Sequence, residues 1–237
     1  MTLGALVKRF YSEVAIGAAV GGFEVRLDGR GVCTPQKAAL IFPNHALAEA
    51  VGDEWAGQGE HVRPATMPLT SLACTAIDRV APCRAEAVGE ILGYAGTDLL
   101  CYRAEQPAAL VARQAAVWQP LLDWAALALD APLTVTGGIL AAHQPDEAVA
   151  ALRSAVESLD DLRLAALSSA TWASGSLVIG LALSRGQVSA DEAFEAAELD
   201  ATFQIERWGE DPEATQRRAA VRDDLIAARR LFDLLAD

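Results

Sequence analysis

The spacing of apolar residues changes near residue 44, and this change limits the folds open to the chain more than any other feature. Before it, short runs alternate apolar and polar residues, as residues 23–27 (Phe-Glu-Val-Arg-Leu) do. Alternation with a period of two predicts strands with one buried face. The pairs Gly21-Gly22 and Asp28-Gly29 supply the positive φ that tight hairpin turns need. We therefore predict a small antiparallel meander with strands over residues 14–20, 23–27, 32–34 and 39–42.

Beyond residue 44 the apolar spacing is helical. Asn44 is a favourable N-cap for a helix over residues 45–58, and Trp55 falls on the apolar face of that helix, where it is interpreted as a packing residue. The segment Ser189-Ala-Asp-Glu192 has the capping-box pattern. A second helix is therefore expected to begin there and to continue to Trp208.

An uncharged segment of 21 residues, 164–184, is long enough to span a bilayer. Its six serine and threonine residues dilute its hydrophobicity. We therefore favour one helix buried in a helical domain over a membrane span, with Gly175 and Gly180 allowing neighbouring elements to approach closely. Elsewhere, Pro120 is expected to kink or break the helix that contains it.

The order of these patterns predicts an α+β fold. We expect a small N-terminal antiparallel-sheet α+β domain over residues 1–85, with β-hairpins and a helix. From about residue 85 the pattern is almost wholly helical, so a C-terminal helical domain is predicted over residues 86–237. A chain of 237 residues is long enough for two such domains.

The net charge of −13 argues against a nucleic-acid surface, which needs basic residues to neutralise phosphates, and against an anionic membrane. Much of this charge lies between Asp191 and Glu213, where nine acids accompany one base, Arg207. The arginines between residues 217 and 230 are expected to pair with nearby acids rather than form a binding patch. Because aromatic residues are interleaved with the acids, two interpretations stay open: a solvated amphipathic helix, or an acidic surface that docks another protein.

Patterns that carry chemistry are missing from the sequence. The four cysteines contain no CxxC pair, and their spacing from the three histidines does not suit a metal site. There is no phosphate-binding loop, dinucleotide fingerprint, nucleophile elbow or HExxH motif. The segment 66–103 mixes polar and apolar residues densely, but Thr70 and Ser71 have no nearby base. Asp98 is expected to cap or turn the chain. We therefore predict no cofactor, no metal and no enzymatic activity.

Several segments carry a family resemblance in the right order along the chain: Phe10-Tyr11, Thr34-Pro35, Glu54-Trp55 and residues 22–30, 67–78, 94–103 and 203–209. Together they resemble the ATP synthase assembly chaperones that act on the α subunit of the catalytic sector, found in mitochondria and alphaproteobacteria. The resemblance implies a protein that holds the unassembled α subunit, prevents its aggregation and releases it as the ring assembles. It also implies an N-terminal α+β domain followed by a helical domain of the orthogonal-bundle type.

The resemblance places an important acidic position at Asp200, with Gln204 and Trp208 following in register. The residues expected to contact the partner are accordingly Asp200, Phe203, Gln204, Glu206 and Trp208. The residues expected to be structural family signatures are Trp55, Thr70, Asp78, Asp98 and Tyr102.

Because no transit peptide is recognised, a cytoplasmic bacterial member is expected, a monomer when free, with the mitochondrial matrix the corresponding location for eukaryotic relatives. Two other classes of protein stay open. One is a small metabolic enzyme with an unrecognised site, and the other is an acidic adaptor for a different client.

Overall fold

The computed structural model describes residues 7–137, 143–209 and 211–236. The chain forms two compact units. The first contains the described residues up to Cys83 together with those from Leu231 onward, and the second runs from Arg84 to Arg230. Short antiparallel strands lie in the first unit and most helices in the second, so the predicted α+β class is confirmed.

The first unit contains a four-stranded sheet, a helix that packs on it and a separate antiparallel pair of two-residue strands. Its elements are β1 (Val7–Lys8), β2 (Val14–Ala19), β3 (Gly22–Leu27), β4 (Arg30–Gly31), β5 (Ile41–Phe42), α1 (His45–Ala56), β6 (His61–Val62) and α2 (Pro68–Thr75).

Strand β3 is the centre of this sheet. It pairs antiparallel with β2 in the register Ile16 to Val25, and it also pairs with β4 and β5. Both predicted hairpin turns have positive φ, with 92° at Gly21 and 49° at Asp28. Asn44 caps α1 by accepting a hydrogen bond from the Leu47 amide, as predicted.

The second unit is mainly helical. Its elements are α3 (Arg84–Gly93), β7 (Tyr102–Arg103), α4 (Ala108–Leu129), β8 (Thr136–Gly137), α5 (Asp146–Glu157), α6 (Asp161–Ser174), α7 (Leu177–Ser184), α8 (Ala190–Ala197), α9 (Leu199–Trp208) and α10 (Pro212–Leu234), of which the residues from Leu231 belong to the first unit. The two short strands pair parallel, Tyr102 with Thr136.

The uncharged segment 164–184 is not the single helix that the sequence predicts. Gly175 adopts a left-handed conformation, with φ of 69°, and ends α6. Ser176 then caps α7 by accepting a hydrogen bond from the Ile179 amide. A Cβ on Gly180 would lie 2.7 Å from Thr171 Oγ1, so close approach at this glycine is confirmed. Within the residues that the structure describes, no helix is long and apolar enough to cross a membrane.

The helix predicted over residues 189–208 needs correction, and of the kink or break expected at Pro120 the break is absent. The helix predicted from Ser189 to Trp208 starts with the expected capping box but is interrupted at Glu198, so α8 and α9 are separate. In contrast, α4 continues through Pro120 without a break. Proline removes one hydrogen bond from the carbonyl four residues earlier, here that of Ala116. Ala116 is exposed, so water can satisfy that carbonyl.

Candidate functional site

The candidate site is one face of α9, which we call the α9 face and define by Asp200, Gln204 and Trp208. These residues are spaced four apart and therefore lie on the same side of the helix. Trp208 is 77 % exposed, Gln204 is exposed and Asp200 is half-buried. An exposed tryptophan beside polar groups is the composition of an anchor in a protein–protein contact.

Helix α4 orients the acidic end of the α9 face. Gln114 is 1 % exposed, and its Nε2 donates to Asp200 Oδ1 over 2.8 Å. The other end of the same amide accepts the Ala104 backbone N–H at 2.8 Å. Trp118 adds a second link, because its indole N–H donates to the Ala196 carbonyl at 2.8 Å. Asp200 is therefore held by a buried partner, and one carboxylate oxygen is already engaged.

Phe203 lies on the buried side of α9, about 100° around the helix axis from Gln204. It is 6 % exposed, and two guanidinium groups cover its ring, Arg207 at 4.2 Å and Arg113 at 5.4 Å from the ring centroid. Phe203 therefore packs inside the unit, and the sequence-predicted contact residues are divided between two faces of the helix.

Glu206 forms an ion pair with Arg113, with 2.8 Å between Nη1 and Oε1. The hydrogen bond from Arg113 lowers the pKa of Glu206, because it stabilises the charged carboxylate.

Arginines of α10 pair with two of the acids near α9, Glu198 and Asp191. Glu198 is buried and accepts two hydrogen bonds from Arg217, at 3.0 and 2.9 Å. Asp191 pairs with Arg222 at 2.6 Å. Among the described residues, three of the acids between 191 and 213 therefore form ion pairs: Asp191, Glu198 and Glu206. Spacing alone does not distinguish Glu198 from its acidic neighbours, and Glu198 lies at the break between α8 and α9.

In the first unit, the signature residues around Thr70 and Asp78 hold the chain together locally. Glu54 accepts the backbone N–H and the hydroxyl of Thr70, at 2.8 and 2.7 Å. Asp78 accepts the Thr34 hydroxyl at 2.7 Å and the Gln36 amide at 3.1 Å. These carboxylates therefore hold Thr34, Gln36 and the start of α2 in place.

Asp98 has the same kind of role in the second unit. It is 0 % exposed and accepts the Ser176 hydroxyl at 2.7 Å and the Val178 amide at 3.1 Å, at the start of α7. Burial raises the pKa of Asp98, although these hydrogen bonds act in the opposite direction. Near it, the Tyr102 hydroxyl donates to the Gly96 carbonyl at 2.9 Å.

A groove of about 540 Å³ in the first unit is lined by residues that include Phe10, Tyr11, Asp28 and Trp55. The rings of Tyr11 and Trp55 meet edge to face at 5.7 Å, which agrees with the packing interpretation of Trp55. The Asp28 carboxylate accepts the amides of Ser12 and Glu13, and these hydrogen bonds lower its pKa.

A metal site and a reactive thiol each have structural requirements. In residues 7–137, 143–209 and 211–236 there is no cluster of three or more candidate metal ligands. The free cysteines include the buried Cys101, and burial raises the pKa of its thiol to about 12. A thiol with that pKa is not a reactive nucleophile.

Comparison with known proteins identifies the class of this protein as a chaperone. A family model described as ATP12 chaperone protein matches residues 8–126, which is half of the chain. The protein belongs to the ATP12 chaperone family, and the resemblance drawn from its sequence is thereby confirmed.

Individual relatives agree with this family. The chain is 26 % identical over 215 residues to protein atp12, mitochondrial, of Schizosaccharomyces pombe, a match that covers 85 % of this chain and 74 % of the relative. The crystal structure of Atp12 from Paracoccus denitrificans is similar with a TM-score of 0.92 and 41 % identity, covering 97 % of this chain and 99 % of that one. A candidate chaperone from Agrobacterium tumefaciens gives 0.92 and 41 %, covering 97 % and 86 %.

Proposed function

We propose that the protein is an assembly chaperone of the F-type ATP synthase and that its client is the unassembled α subunit, bound through the α9 face. Trp208 is the observation that carries this proposal. In a member of a chaperone family, it places a large apolar ring in solvent, 77 % exposed, beside the polar groups of Asp200 and Gln204.

The α9 face holds its client by passive burial. A client surface that covers Trp208 removes apolar area from water, while Gln204 and the free oxygen of Asp200 offer hydrogen bonds at the rim. The sequence has no phosphate-binding loop, so holding and release proceed without nucleotide hydrolysis by this chain. The protein acts as a monomer in the bacterial cytoplasm, without cofactor and without enzymatic activity.

Trp208→Ala tests the α9 face without disturbing the fold, because the ring is mostly in solvent. Aromatic anchors at interfaces contribute about 2 kcal/mol or more, so the variant should bind the isolated α subunit at least about 30-fold more weakly. Trp172→Ala is the matched control, because Trp172 is 78 % exposed on α6, outside the α9 face. Its affinity for the client should equal that of the unaltered protein.

Asp200→Asn tests the acidic end of the same face. It removes the charge but keeps an oxygen that can accept from Gln114, so a loss of affinity reports recognition rather than unfolding. The readouts are suppression of α-subunit aggregation, measured by light scattering, and the dissociation constant. Equal activity of Trp208→Ala and Trp172→Ala would refute the α9 face as the site. If the unaltered protein neither binds the α subunit nor keeps it soluble, the α subunit is refuted as the partner.

A further inference from the structure

Strand β2 forms an open edge of the sheet in the first unit. It pairs with β3, and no other strand in the described part of the chain pairs with it. Its sequence, Val-Ala-Ile-Gly-Ala-Ala, has neither a charged residue nor a proline. Natural proteins usually protect an edge strand with such residues, because its unpaired peptide groups are a template for another strand.

The peptide groups that point outward from this edge can be identified from the register. The Val25 carbonyl accepts the Val32 amide at 2.9 Å, so the peptide groups of Val25 point away from β2. Its partner across the ladder is Ile16, and in an antiparallel pair of this kind both residues direct their N–H and C=O groups outward. Because Val14 and Ala18 are two residues away from Ile16 on the same strand, their N–H and C=O groups also point outward. Among the described residues, no acceptor is present for these three amides.

The two faces of β2 differ in chemistry. A Cβ on Gly52 of α1 would lie 2.8 Å from Ile16 Cδ1 and 3.9 Å from Val14 Cγ1, so both side chains face α1. They are only half-buried, and an added strand would complete this apolar layer with its own side chains. On the opposite face lie Gly17 and the ion pair of Glu24 with Arg26, 2.8 Å apart.

The Arg26 side chain covers part of the open edge of β2 and can be displaced from it. Its guanidinium crosses Gly17 so closely that a Cβ there would lie 2.5 Å from Arg26 Cζ. Its Nη2 donates to the outward-pointing Ala18 carbonyl over 3.2 Å. A single exposed hydrogen bond therefore covers one of the acceptors of the edge.

We propose that β2 is a docking edge for an extended segment of a client polypeptide, which adds as a further strand and displaces Arg26. The fitting segment alternates apolar side chains toward α1 with polar ones on the other face, where an acidic residue would meet Arg26. Pairing between two copies of β2 is less favourable, because the Arg26 side chains of both copies would have to move off their edges. A client strand displaces only one Arg26 side chain. The inference rests on the proposed function only for the identity of the client.

The test is hydrogen exchange of individual backbone amides in the full chain, measured by NMR. The first probe is a synthetic peptide that alternates valine with threonine and one glutamate, with lysines at both ends, at millimolar concentration. The second probe is the isolated α subunit. The amides of Val14, Ile16 and Ala18 should exchange at least tenfold more slowly when a probe is bound. The amides of Ala15 and Gly17, which face β3, should change little.

Two variants change the edge in opposite directions. Ala18→Pro removes an N–H that the sheet does not use, and the slowing of exchange at Val14 and Ile16 should be lost. Gly17→Ala pushes Arg26 off the edge, and the peptide should bind about five-fold more tightly, the equivalent of one exposed hydrogen bond. Ala15→Ser is the control within the same strand and should bind like the unaltered protein. Because Gly17→Ala predicts a gain, misfolding cannot imitate it.

The outcomes separate the two proposals. Slowed exchange with the peptide but not with the α subunit would keep the docking edge and refute the client. Slowed exchange in Trp208→Ala with both probes would show that the edge works independently of the α9 face. Exchange at Val14, Ile16 and Ala18 that stays unchanged with both probes would refute the docking edge. Slow exchange that depends on the concentration of the protein alone, with dimers in sedimentation, would make a second copy the occupant and refute the client assignment.

Discussion

Replacing Glu54 with alanine should strongly destabilise the first unit, although Glu54 lies outside both proposed contact surfaces. Its side chain is 9 % exposed and reaches from α1 to the start of α2. One oxygen accepts the Leu69 amide at 2.8 Å, and the other accepts the amide and the hydroxyl of Thr70. No residue next to α2 caps it with a side chain, so Glu54 serves as its N-terminal cap from a distance.

The magnitude follows from the donors that Glu54→Ala would leave unpaired. All three belong to Leu69 and Thr70, both of which are buried, and an unsatisfied buried group costs about 1–3 kcal/mol. Water entering the space of the lost side chain can satisfy part of this demand. We therefore expect a loss of about 3–5 kcal/mol in the free energy of unfolding, a large share of the roughly 5–15 kcal/mol typical of a folded protein.

The assay is urea unfolding, with amide exchange at Leu69 and Thr70 as the local readout. Asp53→Ala is the matched control, because Asp53 is the preceding residue and is exposed; it should change stability by less than about 0.5 kcal/mol. Glu54→Gln keeps one acceptor but turns an NH₂ group toward a donor, and it should fall between the two. A Glu54→Ala protein as stable as Asp53→Ala would refute the capping role.

Two other substitutions report on packing and on a buried charge. Gly180→Ala should destabilise the protein by about 1–2 kcal/mol because its Cβ would meet Thr171, whereas Gly89→Ala, with open space around it, should stabilise α3 by up to about 1 kcal/mol; thermal unfolding compares them. For Asp98, burial raises the folded-state pKa above the unfolded value, so the folded protein binds this proton more tightly. The contribution of Asp98 to stability should then decline as the pH rises from about 4 toward the folded-state pKa. Asp98→Asn does not titrate, so a stability difference between the two proteins that is constant across this range would contradict the assignment.

Local sequence signals predicted the parts of the fold that short-range chemistry decides. The hairpins follow from glycine and aspartate at positive φ, and the cap at Asn44 and the capping box at Ser189 follow from side chains that bond to nearby amides. The pattern did not reveal the break at Gly175, because glycine within an apolar helix and glycine ending one look alike in sequence. Which applies depends on Asp98, distant in sequence, which stabilises the new helix start at Ser176.

The candidate site was predicted less completely, for a related reason. Spacing alone places Asp200, Gln204 and Trp208 on one face of a helix, and the structure shows that arrangement. Spacing does not tell which acids find a cation, because the arginines that pair with Glu198 and Asp191 belong to α10. Unpaired main-chain groups, such as those of Ile16, leave no trace in the sequence and become visible only when the neighbours of a strand are known.

Ion pairs between acids and arginines within the chain reduce the contribution of these acids to client binding. Since Glu198, Asp191 and Glu206 each hold an arginine, a client that competed for these acids would first have to break existing ion pairs. The pairs of Asp191 and Glu206 are exposed and contribute little, so exchanging them for pairs with a client yields little affinity, whereas Glu198 is buried and offers little surface to a client. The exposed ring of Trp208 and the outward peptide groups of β2 have no such ion pair to break. The one hydrogen bond that a client would replace there is that of Arg26. Binding a client is therefore expected to release more free energy at Trp208 and along β2 than at these three acids.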